Sequence, residues 1–75
     1  MKKSSAAKDI LKRLAKNIRT GRIRVKMTQE EAAFRSAIGY KRWQDLEAGR
    51  ANTTVATLTR IAAILRVDIR RLFTP

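Results

Sequence analysis

The sequence predicts a compact all-α domain of five helices, and three observations support this prediction. Seventy-five residues allow a single domain with a small core. Apolar residues recur at helical spacing in successive segments. Residues suited to capping helices precede those segments. We therefore expect one domain over residues 6–75, a flexible basic tail over residues 1–5, and no strand.

The first helix is predicted from apolar residues that recur every three or four positions: Ile10, Leu11, Leu14, Ala15 and Ile18. Ser4 or Ser5 can cap its start. Gly21 weakens its last turn by about 1 kcal/mol of helix propensity. Arg22, Ile23 and Val25 can still extend it. The end of the first helix is therefore left open over several residues.

Two short helices joined by a tight turn are predicted between Thr28 and Gly49. Thr28 can accept a free backbone N–H, while Glu31 reaches back to form a capping box. Wound at about 100° per residue, the third helix divides into two faces. Trp43, Leu46 and Glu47 share the inner face, and Tyr40, Lys41, Gln44 and Asp45 share the outer one. Trp43 is accordingly expected in the core rather than stacked on a ligand.

The fourth helix is predicted after a short loop, with Thr53 or Thr54 as its cap. Its apolar stripe consists of Val55, Leu58, Ile61, Ala62 and Leu65. Asp68 can cap a short fifth helix that carries Ile69, Leu72 and Phe73 before Pro75 ends the segment.

Charge limits the class of partner. Eighteen Lys and Arg against six Asp and Glu give a formal net charge of +12. Such a surface favours a polyanion, either a nucleic acid or an anionic membrane. Charge alone leaves both alternatives open.

The residues that the sequence lacks argue against catalysis. Without Cys and His, the usual zinc ligands, the usual general base and disulfide bonds are missing. We therefore expect no metal, no cofactor and no enzymatic activity. The lack of Cys also fits a cytoplasmic location. No uncharged apolar run approaches the roughly 20 residues that a membrane span requires, so a soluble protein that is not exported is expected.

Several landmarks occur in a fixed register along the chain: Thr28-Gln29-Glu30-Glu31, Ala33, Leu46-Glu47-Ala48-Gly49, Val67-Asp68-Ile69 and Leu72-Phe73. Together they resemble the lambda-repressor-like, or XRE-type, helix-turn-helix family of DNA-binding proteins. The resemblance covers about Leu14 to Phe73, and the interval from Gln29 to Glu47 equals that of the family. Ala33-Phe34-Arg35-Ser36 is also similar to a stretch in controller proteins of restriction–modification systems.

Three positions depart from the family in the same way. Lys26, Ala37 and Arg66 stand where the family commonly has glycine. A left-handed backbone at a residue other than glycine costs roughly 1–2 kcal/mol. Either these turns adopt another conformation or the chain tolerates the strain. Gly39 replaces the frequent Ser or Thr cap of the third helix, at a cost of only a few tenths of a kcal/mol.

The resemblance implies that Tyr40, Lys41, Gln44 and Asp45 contact DNA bases. Lys41 can donate to guanine, Gln44 can pair with adenine, and Asp45 can accept from cytosine N4. Tyr40 can instead stack or bind a phosphate. The alternative is an exposed Lys41–Asp45 ion pair, four residues apart, with Gln44 merely solvated.

Further roles follow from the same resemblance. Phosphate contacts are expected from a set of polar residues around the third helix: Gln29, Lys26, Thr28, Arg50, Asn52 and Thr53. Lys2 and Lys3 would form a disordered arm. Arg22 and Glu47 match positions that pair in several family members. The alternative for Gln29 is an ordinary polar residue in a first helical turn.

The resemblance implies sequence-specific binding of double-stranded DNA by a transcriptional regulator, either a repressor or an autoregulating controller. One copy makes few contacts, so a homodimer on an inverted repeat is expected. Ile69, Leu72 and Phe73, with the outer face of the fourth helix, are the predicted seam, although they could equally belong to the core. The alternatives are a protein-interaction adaptor on the same fold and a peptide that binds membrane surfaces.

Overall fold

The computed structural model describes residues 3–75, with side chains from Ala6 onward. Within this range the chain forms four α-helices and one 3₁₀ helix, and no strand. The helices are α1 (Lys3–Arg24), α2 (Gln29–Arg35), α3 (Tyr40–Glu47) and α4 (Val55–Leu65), followed by the 3₁₀ helix at Ile69–Phe73. The predicted all-helical architecture is confirmed. None of the helices in residues 3–75 combines the length and apolarity needed to cross a bilayer.

The fifth predicted helix is a 3₁₀ helix rather than an α-helix. Asp68 caps it as expected, because its carboxylate accepts the Arg70 backbone N–H at 2.8 Å. The Asp68 carbonyl accepts from the Arg71 N–H at 2.8 Å, three residues on. Hydrogen bonds from the Arg70 side chain and from its backbone N–H lower the pKa of Asp68 to about 2. The segment is only five residues long, which suits the tighter helix.

Helix α1 is longer than predicted at its start. It already includes Lys3, so Ser4 and Ser5 lie within it instead of preceding it. Met1 and Lys2 fall outside the described residues. The flexibility of residues 1–5 and the arm of Lys2 and Lys3 stay predictions, although α1 already includes Lys3 to Ser5. The helix also continues through Gly21, where a Cβ atom would lie 3.0 Å from the Leu65 side chain. Gly21 thus allows α1 and α4 to approach closely.

The core lies where α1, α3 and α4 meet. Its largest fully buried side chains include Ile18, Trp43, Leu46, Ile61 and Leu65. The predicted stripe of α4 is buried except at its first member. Val55 is 72% exposed; it is the first residue of α4.

The capping predictions hold in part. Thr28 accepts the Glu31 N–H at 3.0 Å, but the Glu31 carboxylate pairs with Arg35 at 3.1 Å instead of completing the capping box. Thr54, rather than Thr53, caps α4 through the Thr57 N–H at 3.1 Å. Gly39 precedes α3 without a side-chain cap.

The three turns that lack the family's glycine retain the left-handed backbone. The φ angles are 62° at Lys26, 59° at Ala37 and 59° at Arg66. Of the two alternatives, the chain therefore tolerates the strain. Around Ala37, the Ser36 carbonyl accepts from Arg60 Nε at 2.9 Å, and the Ile38 N–H donates to the Ala33 carbonyl at 2.9 Å. These bonds hold the turn between α2 and α3.

Candidate nucleic-acid interface

Helix α3 has the two faces that its sequence predicts. Trp43 and Leu46 are 0% and 2% exposed and pack into the core. On the outer face, Tyr40 is 45% exposed and the Lys41 side chain is 79% exposed. Burial of the inner face fixes the helix, and these outer groups therefore project from a rigid support.

The charged groups of the outer face are already joined in the free protein. Lys41 Nζ lies 3.0 Å and 3.3 Å from the two carboxylate oxygens of Asp45, and Arg50 Nη2 lies 3.1 Å from Oδ1. Hydrogen bonds from Lys41 and then Arg50 lower the pKa of Asp45. The Lys41–Asp45 ion pair, which is the predicted alternative to base contact, is therefore present in the free protein. Because exposed pairs of this kind contribute little, base contacts can replace it at small cost.

Glu47, at the end of α3, is the centre of a hydrogen-bond network. Arg22 donates to both carboxylate oxygens, at 2.5 Å and 3.1 Å. Trp43 Nε1 donates at 2.6 Å, and Gln29 Nε2 donates at 3.1 Å. The Arg22 and Glu47 side chains are only 13% and 5% exposed. The predicted ion pair is therefore present, and it joins α1 and α3 to the first residue of α2.

The network keeps the Glu47 carboxylate ionised. Burial raises the pKa of this group, but hydrogen bonds from Arg22, Trp43 and Gln29 outweigh burial and leave the pKa below its ordinary value. The charge of Arg22 compensates that of Glu47 within the protein. Arg22 also donates to the Met27 carbonyl at 2.8 Å, which ties the α1–α2 turn to the same network.

Gln29 has a role that the sequence did not predict. Its amide nitrogen was expected at a phosphate, whereas in this structure it donates to Glu47. The i,i+4 spacing of Trp43 and Glu47 could have indicated their contact from the sequence. Gln29 and Glu47 lie on different helices, and only the fold brings them together.

The other predicted phosphate-binding residues lie in the turn before α2 and in the loop after α3. Lys26, Thr28, Arg50 and Asn52 are exposed, and Thr53 is half-buried. Sequence reasoning missed Arg42, whose Nη2 donates to the Asn52 carbonyl at 2.7 Å and so fastens the loop after α3 to α3 itself. Asn52 lies ten residues further along the chain, so the sequence gives no sign of this contact.

The predicted dimer seam needs a correction at one residue. Leu72 is only 2% exposed and belongs to the core of the protomer, so it is not available to a second chain. Asn17 Nδ2 donates to the Leu72 carbonyl at 2.9 Å and holds this segment against α1. Ile69 is partly buried against the core, whereas Phe73 is 40% exposed.

Comparison with known proteins gives consistent matches. A model described as helix-turn-helix matches residues 18–72. The structure is similar to that of the restriction-modification controller protein C.AhdI from Aeromonas hydrophila, with a TM-score of 0.80 and 25% identity over 84% of this chain and 96% of that chain. It is also similar to the hypothetical transcription factor NHTF from Neisseria, with a TM-score of 0.86 and 28% identity over 92% of this chain and 79% of that one. None of the curated proteins compared with the chain matches it.

Proposed function

The chain belongs to the helix-turn-helix family, and on this premise we propose that it binds double-stranded DNA sequence-specifically by placing α3 in the major groove. The family and both structural neighbours identify the chain as a DNA-binding transcriptional regulator of the XRE type, and not an enzyme. The predicted family is thereby confirmed. The groove, the contacts and the direction of regulation belong to the proposal.

The observation that carries the proposal is the division of α3. Full burial of Trp43 and near-full burial of Leu46 anchor the helix, while the opposite face presents a phenol, an ammonium group, an amide and a carboxylate. Groups with donors and acceptors on an anchored helix suit the major groove, where each base pair shows a distinct pattern.

Each outer residue of α3 has a proposed partner on DNA. Lys41 donates to guanine O6 and N7, Gln44 pairs with adenine N6 and N7, and Asp45 accepts from cytosine N4. Tyr40 stacks or binds a phosphate. Lys41 must leave Asp45 to reach a guanine. Arg50 keeps one hydrogen bond to the Asp45 carboxylate, which is 3.1 Å long in the free protein, and its other N–H groups can reach a phosphate.

Backbone contacts complete the proposed site. Lys26, Thr28, Gln29, Arg50, Asn52 and Thr53 would bind phosphates on either side of the groove. Gln29 can bind a phosphate through the second N–H of its amide while the first stays on Glu47. Otherwise the hydrogen bond to Glu47 must break first.

Two copies of the chain are proposed to bind an inverted repeat, with half-sites about one helical turn apart. Phe73, Ile69 and the outer face of α4 would form the contact between them. A repressor or an autoregulating controller in the cytoplasm is the proposed cellular role, and the controller among the structural neighbours supports it.

Selection of bound sequences from a random pool of duplexes tests the proposal. A palindromic consensus is the expected result. Recovery of an unenriched pool at moderate salt would refute sequence-specific binding and would favour the protein-interaction adaptor instead.

A further inference from the structure

A basic stripe on α1 is left unused by the proposed contacts. It consists of Lys12, Lys16 and Arg19, which we call the α1 stripe. At about 100° per residue, positions 12, 16 and 19 fall within roughly 60° of one another around the helix. All three residues are exposed. No salt bridge or side-chain hydrogen bond engages them among residues 6–75, whose side chains the structure describes.

The α1 stripe lies beside the carboxyl end of α3. One groove is lined by all three of its residues together with Glu47, Ala48 and Gly49. A second groove begins at Arg19 and is lined by Gln29, Gln44 and Glu47. The two grooves share Arg19, Glu47 and Ala48, so a continuous surface runs from the proposed base-contacting Gln44 to Lys12.

The turn after α3 explains this proximity. Gly49 has a φ of 75°, and a Cβ atom there would lie 3.8 Å from the Leu11 carbonyl oxygen and 3.9 Å from Lys12 Cα. The backbone after α3 thus packs directly against the middle of α1. The α1 stripe begins at this point of contact and flanks the end of α3.

The surface carries an uncompensated positive charge. Its one carboxylate, Glu47, is 5% exposed and is neutralised by Arg22 at 2.5 Å. The charges of Lys12, Lys16 and Arg19 therefore remain. Three free cations beside a helix that contacts bases are suited to the phosphates that border the same groove.

We infer that the α1 stripe binds DNA backbone phosphates beyond those bound by α2, α3 and the loop after α3. The inference rests on the proposed function and extends the DNA contact along α1. It concerns affinity and its dependence on salt, because phosphate contacts carry no base preference.

An anionic membrane is the competing partner for such a stripe, and the packing of α1 argues against it. A helix that lies in a membrane interface inserts its apolar face. In α1 that face is occupied, since Leu14, Ala15 and Ile18 are 4%, 6% and 0% exposed within the core. The folded protein therefore offers the charges of the stripe without an apolar surface beneath them.

The test compares two triple variants that each remove three positive charges. The stripe variant carries Lys12→Gln, Lys16→Gln and Arg19→Gln. The control carries Arg13→Gln, Arg66→Gln and Arg71→Gln, at exposed sites that line neither of the two grooves. Arg13 lies about 100° round α1 from Lys12 and about 60° from Lys16, Arg66 ends α4, and Arg71 lines a groove on the other flank of α1. Affinity for the selected duplex is measured against salt concentration, and circular dichroism verifies that both variants fold.

The stripe variant is expected to reduce the slope of log K against log salt by about 0.9 for each phosphate that the protein no longer neutralises. The triple change should therefore reduce the slope by about 2 to 3 and weaken binding about a hundredfold at physiological salt. The selected consensus should stay the same, and the control should keep most of the wild-type slope. Equal reductions in both variants would indicate a general effect of net charge and overturn the inference, as would an unchanged slope in the stripe variant.

Two further outcomes separate the inference from the proposed function. A wild-type protein that selects a consensus while the stripe variant keeps its slope refutes the inference alone. A wild-type protein that selects no sequence refutes the proposed function and the inference with it. Stripe-dependent binding to vesicles of phosphatidylcholine and phosphatidylglycerol, with no change in the DNA slope, would assign the stripe to membranes and overturn the inference.

Discussion

Replacing Ala37 with glycine should stabilise the protein, against the usual effect of glycine. Ala37 has a φ of 59° in the turn between α2 and α3, and a left-handed backbone costs a non-glycine residue roughly 1–2 kcal/mol. Glycine removes this cost but adds about 0.4–1 kcal/mol of entropy to the unfolded chain. The net gain should be about 0.5–1 kcal/mol, or about 2–8 °C in Tm for a domain of this size.

The assay is thermal and urea unfolding followed by circular dichroism, with Ala63→Gly as the matched control. Ala63 is an exposed residue within α4, where glycine should cost about 1 kcal/mol of helix propensity. The two substitutions are chemically identical and should shift the midpoint in opposite directions. A loss of stability in Ala37→Gly as large as that in Ala63→Gly would refute the assignment of strain to this turn.

Three further predictions concern α3, the network and the C-terminal segment. Lys41→Ala should relax preference at one base pair as well as weaken binding, as measured by sequence selection; uniform weakening would make Lys41 a phosphate contact. Glu47→Gln should destabilise the fold by roughly 3–5 kcal/mol, because it strands the Arg22 charge. The folded state lowers the pKa of Glu47, so this stabilisation should be present above the ordinary pKa of 4.5 and be lost as pH falls through the lower pKa of the folded state. The difference in free energy of unfolding between wild type and variant, measured in urea, should therefore become smaller in acid. A difference that does not change with pH would contradict the assignment. Leu72→Ala should cost about 2–5 kcal/mol in unfolding, whereas Phe73→Ala should spare the protomer and shift sedimentation from dimer to monomer; a protein that sediments as a monomer both free and on DNA would contradict the dimer.

Features set by local sequence were predictable. The Thr28 hydroxyl, the Asp68 carboxylate and the two faces of α3 depend on residues within one helical turn, so spacing alone indicates them. The left-handed angle at Ala37 was one of two stated alternatives, because a sequence specifies the strain but not whether the surrounding packing is strong enough to impose it.

Features that depend on distant segments were not predictable. Gln29 meets Glu47, and Arg60 meets the Ser36 carbonyl at 2.9 Å, only after the helices have packed. Leu72 and Phe73 are adjacent and both apolar, yet one is buried and the other is 40% exposed; their sequence does not distinguish a residue of the core from one of a seam. The same limit applies to the α1 stripe, whose position beside α3 follows from the close approach at Gly49.

The indole of Trp43 provides an optical probe of the interface without labelling. It is the only tryptophan in the sequence, it is fully buried, and its N–H donates to Glu47 at 2.6 Å. Its intrinsic fluorescence therefore originates from the point where three helices are joined. Emission that stays constant while DNA is titrated would indicate that the protein docks as a preformed body, whereas a spectral change would indicate that the joint rearranges on contact.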